Sequence, residues 1–406
     1  MITRYPGFPL TLTLFLRLVA AIPTGTPFAL GLNDATVAQV RANMMQVSTQ
    51  RASTHVDTRS WELGTAAEAL TELEWPALSV FRSTAFPPPT TLSAAYNASD
   101  VLQIAFNTVK MKPAGSMALV ANDDAVGDPA SLGCAVLLAN WTKSNLADGT
   151  YSYAAGQQLD YLMNYAPKTA LGAISSREDQ VQLWADFIYM APPFIAYFAI
   201  VQGGTVALGL LQAAYEQCSL YRDQLYDPDA SLWRHIALGS WQDATHWATG
   251  NAWAAAGMLR VVQTFNNSIY APELTEQSAN LTSWINEILD GVWNYQQPSG
   301  NLLNTLDNST SFADAASTAL LAAVTYRMAL LTNDTTHVAA ANSALTYVAH
   351  DLDDNGWLQN TVNPITFTTP TAYSAGGNSP EGQAFVLLMH AAWRDFATAA
   401  GDDATT

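Results

Sequence analysis

Basic residues are scarce in this chain of 406: Lys and Arg number 16 against 34 Asp and Glu, a net charge of −18. The field around such a molecule repels polyanions and no basic run offsets it, so nucleic acid is excluded as a partner. Cysteine is nearly absent, with Cys134 and Cys218 alone, which rules out a disulfide-stapled small domain. The two either pair, which would stabilise by roughly 4–5 kcal/mol, or stay as buried thiols, since both sit in apolar helical sequence. The six His show no metal-ligand spacing. No Gly-rich phosphate loop follows a strand, and neither a Gly-x-Ser-x-Gly elbow nor a Cys–His nucleophile pattern occurs. No metal or cofactor is therefore expected. Charged residues make up only 12% while 49% are hydrophobic, which excludes disorder.

Two apolar runs need separate readings. Residues 1–21 carry Arg4, a mostly apolar stretch from Phe8 to Ala21, and small residues at Val19 and Ala21, the pattern of a secretory signal peptide. Residues 22–34, opening Ile22-Pro23-Thr24-Gly25, read as a flexible mature N-terminus, and 398–406 as a disordered tail. Six Asn-x-Ser/Thr triplets at Asn97, Asn140, Asn266, Asn280, Asn308 and Asn333 agree with secretion to the extracellular space. The second run, Phe187 to Tyr215, is long enough to span a membrane. Pro192-Pro193 and Gln202-Gly203-Gly204 interrupt it, so it reads as two packed helices with a tight loop between them and no membrane contact.

Elsewhere helical periodicity dominates. Leu281, Trp284, Ile285, Ile288, Leu289 and Val292 repeat at i, i+3, i+4, i+7, i+8 and i+11, as do Phe385, Leu388, Met389, Ala392, Trp393 and Phe396. Leu132–Ala139 and Ala315–Val324 are apolar on nearly every face, the signature of helices buried all round. Amphipathic helices interleaved with all-apolar ones imply two concentric layers, and strand signals are few and short. Polar or aromatic residues at the start of an apolar helix recur near Trp61, Asp128, Asp186, Trp247, Asp314 and Glu381, 58 to 67 residues apart. Each interval holds two helices and two loops. Length alone suggests two or three domains, but this repeat overrides it. The fold class is all-α: a single-domain (α/α)6 toroid over 35–397, with six inner helices presenting their N-termini to one mouth, and reading as a monomer. Those positive dipole ends suit anionic or hydroxyl-rich ligands.

The chemistry-bearing residues cluster at these mouths. Asp186, in Trp184-Ala185-Asp186, opens an apolar helix, where burial would raise its pKa toward general-acid use. Taken alone, a helix cap explains it as well or better. Asp128 precedes Pro129-Ala130-Ser131-Leu132-Gly133 and is again a possible cap, with Asp123-Asp124 upstream. Two carboxyls on neighbouring inner helices can share one site, one ionised and one protonated. Trp247 and Trp253, bracketing Thr249, Gly250 and Asn251, offer flat faces for sugar stacking. The Asp227-Pro228 turn delivers Trp233, Arg234 and His235 together.

These residues, in this order, resemble the unsaturated rhamnogalacturonyl hydrolases of glycoside hydrolase family 105 and, more loosely, the unsaturated glucuronyl hydrolases of family 88. The strongest matches are Trp184-x-Asp186 with Tyr189-Met190-Ala191-x-Pro193-Phe194, the turn from Asp227-Pro228 to His235, and Trp247 to Trp253. Weaker ones are Trp61-Glu62-Leu63-Gly64, Asp128 to Gly133, Gln297 to Gly300 and Ser379 to Phe385. The resemblance runs from about Asn33 to Phe396 and brings the same toroid. It implies hydration of a 4,5-unsaturated uronic acid at the non-reducing end of a pectin-derived oligosaccharide, outside the usual two-carboxylate glycosidase schemes. Carried over, Asp186 protonates C4 and helps activate the water that adds at C5. Asp128 takes the second-carboxylate position and His235 that of the pocket histidine. Trp61, Trp184 and Trp247 become stacking walls, and Met190, Arg234, Thr249, Asn251 and Trp253 substrate contacts.

Several positions depart from the family pattern. Thr249 stands where an Arg is usual and Ala252 where a second Gly is, Ser175-Ser176-Arg177 where a His is frequent, and Trp61 where a Tyr is common. A threonine hydroxyl cannot supply a bidentate charged fork, so Arg177 or Arg234 is expected to restore a cation beside the carboxyls. Two other readings stay open: another six-hairpin activity, either an unsaturated glucuronyl hydrolase or a mannanase-like enzyme using Asp123-Asp124, and a sugar-binding homologue without catalysis.

Overall fold

Helices alternate between two layers from Asp34 to Ala399 in the computed structural model, which describes residues 31–53, 59–370 and 378–401. The expected signal peptide, most of the N-terminal segment and most of the tail lie outside the described residues. The outer layer comprises α1 (Asp34–Ser53), α3 (Ser99–Met111), α5 (Thr150–Asp160), α8 (Ala207–Leu225), α10 (Thr275–Trp293) and α12 (Val338–Asp351). The inner layer comprises α2 (Ser60–Glu74), α4 (Gly133–Thr142), the pair α6 (Phe187–Met190) and α7 (Pro192–Gln202), α9 (Ala248–Asn266), α11 (Ala315–Thr332) and α13 (Pro380–Ala399). Inner helices pack in ring order, α2 on α4, α4 on α7, α7 on α9, α9 on α11, α11 on α13, and α13 back on α2. The six-hairpin toroid expected from the repeat is thus the fold.

Position in the ring explains composition. An inner helix is covered on all sides, so every residue of α11 from Ala315 to Ala329 is buried. An outer helix such as α10 buries one stripe that includes Leu281, Ile285, Ile288 and Val292. One expectation is corrected: the stripe from Phe385 to Phe396 belongs to an inner helix, not an amphipathic one. The polar residues between its apolar ones bond inside the ring; Gln383, for example, accepts from Leu358 N and donates to Gly356 O. Close approach needs small residues, and a side chain at Gly257 of α9 would lie 2.1 Å from the carbonyl oxygen of Ile188 on α6.

By length and composition α11 is apolar enough to cross a membrane, but it is packed between α9, α12 and α13, so its hydrophobicity serves the core. The run from Phe187 to Tyr215 forms helices joined by a short turn at Gly203–Val206, as expected, with α7 packed on α8. Cys134 and Cys218 are both free thiols.

Connections from outer to inner helices are longer than most of the returns, and they carry three short ribbons. β1 (Gln182–Trp184) pairs with β4 (Ile236–Leu238), β2 (Tyr226–Asp227) with β3 (Leu232–Trp233), and β5 (Leu302–Leu303) with β6 (Ala313–Asp314), all antiparallel. They gather at the end of the toroid where the inner helices begin, and there they hold the loops that build a pocket.

Candidate active site

That pocket, of about 80 Å³, opens at the inner-helix N-termini. Trp61, Asp128, Arg177, Trp184, Asp186, Met190, Trp247, Trp253 and Glu381 are among its lining residues. The ribbon of β1 and β4 sets Trp184 opposite Ile236, and Ala185 N donates to His235 O at 2.9 Å. Asp186 follows at the N-cap position of α6, yet its side chain makes no capping bond. The cap explanation, open from sequence alone, therefore fails for this residue: its Oδ2 has no hydrogen-bond partner and lies 3.6 Å from His235 Nε2.

Burial raises the Asp186 carboxyl above the usual carboxylate range, against the opposing pull of His235. Asp128, opening the 3-10 turn Asp128–Leu132 ahead of α4, is pushed up further. Burial leads, Asp123 and Asp186 add like charge, and Arg177 opposes. Behind it Asp123 accepts from Ser60 Oγ at 2.5 Å and is raised by burial to about 6. Two carboxyls raised by burial, side by side in one pocket, can divide acid and base roles.

Aromatic walls surround them, three of the four tryptophans with the indole N–H bonded within the protein. Trp61 Nε1 donates to Glu381 Oε2 at 2.9 Å, Trp184 Nε1 to Gln182 Oε1 at 2.8 Å, and Trp247 Nε1 to Asn304 Oδ1 at 2.9 Å. Pinned indoles keep their faces fixed for stacking on a sugar. Met190 and Phe187 line the pocket from α6, and Trp253 reaches it while packing on Tyr189 and Phe385.

Four expected substrate contacts serve other ends. Arg234 does not line the pocket; it is drawn to Asp227, 2.5 Å away across the β2–β3 ribbon. Thr249 is fully buried and donates to Asp314 Oδ2 at 3.1 Å. Asn251, also buried, accepts from Trp233 N and donates to the carbonyls of Trp233 and Trp247, fastening the ribbon to α9. His235 stands behind Asp186, its Nδ1 2.9 Å from Asp243 Oδ2. Of the two cations proposed to replace the family arginine, Arg177 alone lines the pocket.

Sequence reasoning missed three pocket features. Glu381 was legible as a mouth residue but not as a lining carboxyl. Pro364 lines the pocket, and Phe367 packs on Trp184, His235, Trp241 and Trp247 at centroid distances from 4.7 to 6.3 Å. Both belong to a rim loop closed by a bridge between Val362 and Pro370. The Asn363-Pro364 turn dipeptide was its one sequence signal. Among the described residues no group of three or more His, Cys, Asp or Glu is arranged to hold a metal ion.

An α/α toroid with buried carboxyls and pinned tryptophans at the inner-helix N-termini defines a glycoside-hydrolase type of site. The family model described as Glycosyl Hydrolase Family 88 matches residues 92–386, and the chain belongs to that family. No curated protein matches the sequence. Among solved structures, a possible family 105 member from Salmonella enterica serovar Paratyphi A aligns with TM-score 0.69 and 16% identity, covering 89% of this chain and 93% of that one. A possible family 105 member from Klebsiella pneumoniae gives 0.68 and 15% over 89% and 93%. An unsaturated glucuronyl hydrolase specific for heparin gives 0.56 and 13% over 92% and 100%. The protein is thus a glycosidase of the family 88 and 105 type, and its substrate class is an oligosaccharide.

Proposed function

We propose that the protein hydrates the 4,5-unsaturated uronic acid at the non-reducing end of rhamnogalacturonan-derived oligosaccharides and so releases it. The observation that carries this reading is the Asp128–Asp186 pair in one aromatic pocket, with the Asp186 Oδ2 free of any internal hydrogen bond. Protonated Asp186 gives its proton to C4 of the vinyl ether, and positive charge develops at C5 and the ring oxygen. Water adds at C5 and returns a proton to the Asp186 carboxylate, so the acid is regenerated. The hemiketal then opens and frees the neighbouring sugar. Asp128 lies beside the developing cation, and His235, held by Asp243, keeps Asp186 in place. Secretion belongs to the same proposal and rests on the character of residues 1–21 and the sequons.

The test is loss of the ultraviolet absorbance of the C4=C5 bond in lyase-generated rhamnogalacturonan and glycosaminoglycan oligosaccharides. Wild type is expected to consume the rhamnogalacturonan product faster, and Asp186→Asn to lose about 10²–10⁴-fold in rate while keeping its melting temperature. Faster consumption of the glycosaminoglycan product would move the assignment to unsaturated glucuronides, and consumption of neither would refute the hydration reading.

A further inference from the structure

Hydrogen-bond donors open to a ligand are few in this pocket. Three of the four lining indole N–H groups, those of Trp61, Trp184 and Trp247, are engaged with Glu381, Gln182 and Asn304. Ser176 Oγ is tied to Tyr221 and accepts from Trp184 N, and the Thr249 hydroxyl is committed to Asp314. A uronate offers mostly acceptors: a carboxylate and hydroxyl oxygens. Among the described lining residues, apart from Arg177 and the Trp253 indole, the remaining side-chain donors are the carboxyl groups, and Asp186 is occupied with proton transfer. Glu381 is 1% exposed and lines the pocket. Its Oε2 already accepts from Trp61, while its Oε1 is buried with no partner. Any proton it carries therefore sits on Oε1, the oxygen left for a ligand.

We propose that Glu381 is a specificity-determining residue that binds the sugar as a neutral acid, its Oε1–H donating to the substrate carboxylate in place of a charged arginine fork. The inference rests on the uronate reading above and deepens it. Burial, the leading cause, pushes Glu381 up to about 8 against the bond from Trp61, so the proton is present at neutral pH. The groups facing it keep it there. Glu62 of α2, Asp314 at the start of α11 and Asp186 at α6 all add negative charge, and Asp128 senses Glu381 in turn. Arg177 acts on Asp128. From α1, Arg41 is paired with Glu74 and Asp100 and Asp34 faces His390. A carboxylic acid donating to a carboxylate forms a short charge-assisted bond, which is lost on ionisation, when two carboxylates would face each other.

The probe is galacturonate, a saturated uronic acid that cannot be turned over, titrated calorimetrically into wild type, Glu381→Gln and Glu381→Ala. Turnover of the unsaturated oligosaccharide is measured in parallel. Wild-type affinity is expected to fall about tenfold per pH unit above about pH 8. Glu381→Gln, which keeps a donor that cannot ionise, should bind within about threefold of wild type at pH 6.5 and lose that alkaline fall. Glu381→Ala should bind at least about tenfold more weakly. Wild-type-like binding by the Ala variant, or an unchanged alkaline fall in the Gln variant, overturns the assignment even if turnover stands. Binding with the expected pH dependence but no turnover upholds it and refutes the hydration reading. No binding of galacturonate by wild type overturns it too.

Discussion

A single methyl group pressed against the short helix that follows the acid should separate activity from stability. Gly257 on α9 faces the backbone of α6: an added Cβ would lie 2.1 Å from Ile188 O, 2.4 Å from Ile188 C and 2.6 Å from Tyr189 N. These are backbone atoms, so no side chain can swing aside, and restoring ordinary contact requires α6 to move by about 1 Å. Overpacking of this kind costs about 1–3 kcal/mol, offset by about 1 kcal/mol from the better helix propensity of Ala. The melting temperature of Gly257→Ala should therefore drop by only a few degrees. The shift nevertheless passes to Asp186, the residue immediately before the four-residue α6, and a 1 Å misplacement of a reacting group costs about 10²-fold in rate. Gly156→Ala on α5, where the new methyl meets nothing within 4 Å, is the control, and should gain about 0.5–1 kcal/mol with unchanged rate. The assay is the initial rate of chromophore loss on a saturating unsaturated oligosaccharide, beside a thermal melt. If Gly257→Ala turns over at the wild-type rate, the argument that α9 fixes the acid through α6 is wrong.

Stability should fall as pH rises from 6.5 to about 8. Burial holds Glu381 up at about 8, so through that window the folded chain keeps a proton the unfolded chain has released. His390, pushed down by burial to about 4, acts in the opposite sense, but only below its ordinary 6.5. Melts across this range should show the slope, and Glu381→Gln should flatten it; an equal slope in the variant would refute the sign argument. Arg260 ties Glu68 and Glu72 of α2 to α9, and Arg327 ties Glu72 and Asp395 to α11. Arg260→Met leaves Glu68 without its cation and Glu72 with Arg327 alone, and should cost about 3–5 kcal/mol, read by denaturant unfolding. Because Cys134 and Cys218 are free and burial pushes both thiols up, reducing agent should leave the melting temperature unchanged. A thiol reagent should titrate two groups only after unfolding.

The mouth of the toroid was legible because an inner helix must be apolar on every face, so the polar or aromatic residue at its start stands out. Asp186, Trp247 and Asp314 each sit at the N-cap of an inner helix, Trp61 and Glu381 at the second helical residue, and Asp128 at the turn before α4. Side-chain direction was not legible. Thr249 and Asn251 lie two and four residues into a helix whose N-cap, Trp247, lines the pocket, yet both turn into the protein, because a helix start exposes only part of its first turn. Arg234 was misplaced for a different reason. Its partner Asp227 is seven residues back, and only the pairing of β2 with β3 brings the two together. Phe367 and Pro364 lie on a loop without periodicity, where no pattern announces that the chain folds over a neighbour's mouth.

Thr249, where the family resemblance places an arginine, holds more than one contact. Thr249 donates to Asp314, which caps α11 through Ala316 N and Ser317 N and also accepts from Val362 N, the first residue of the rim bridge. One buried carboxylate thus links the fourth inner helix, the fifth, and the loop that brings Pro364 and Phe367 to the pocket. A guanidinium at position 249 would enter that linkage and compete for the Asp314 oxygens. Among the described residues, Arg177 is the one basic residue lining a pocket that also holds Asp128, Asp186 and Glu381. Protonation of its carboxyls favours entry of an anion, and burial raises all three in that direction. Recognition by neutral donors makes affinity a function of pH where a fork would have made it a function of charge. On the proposed reading, the Glu381 proton admits the uronate and the Asp186 proton is the acid that consumes it.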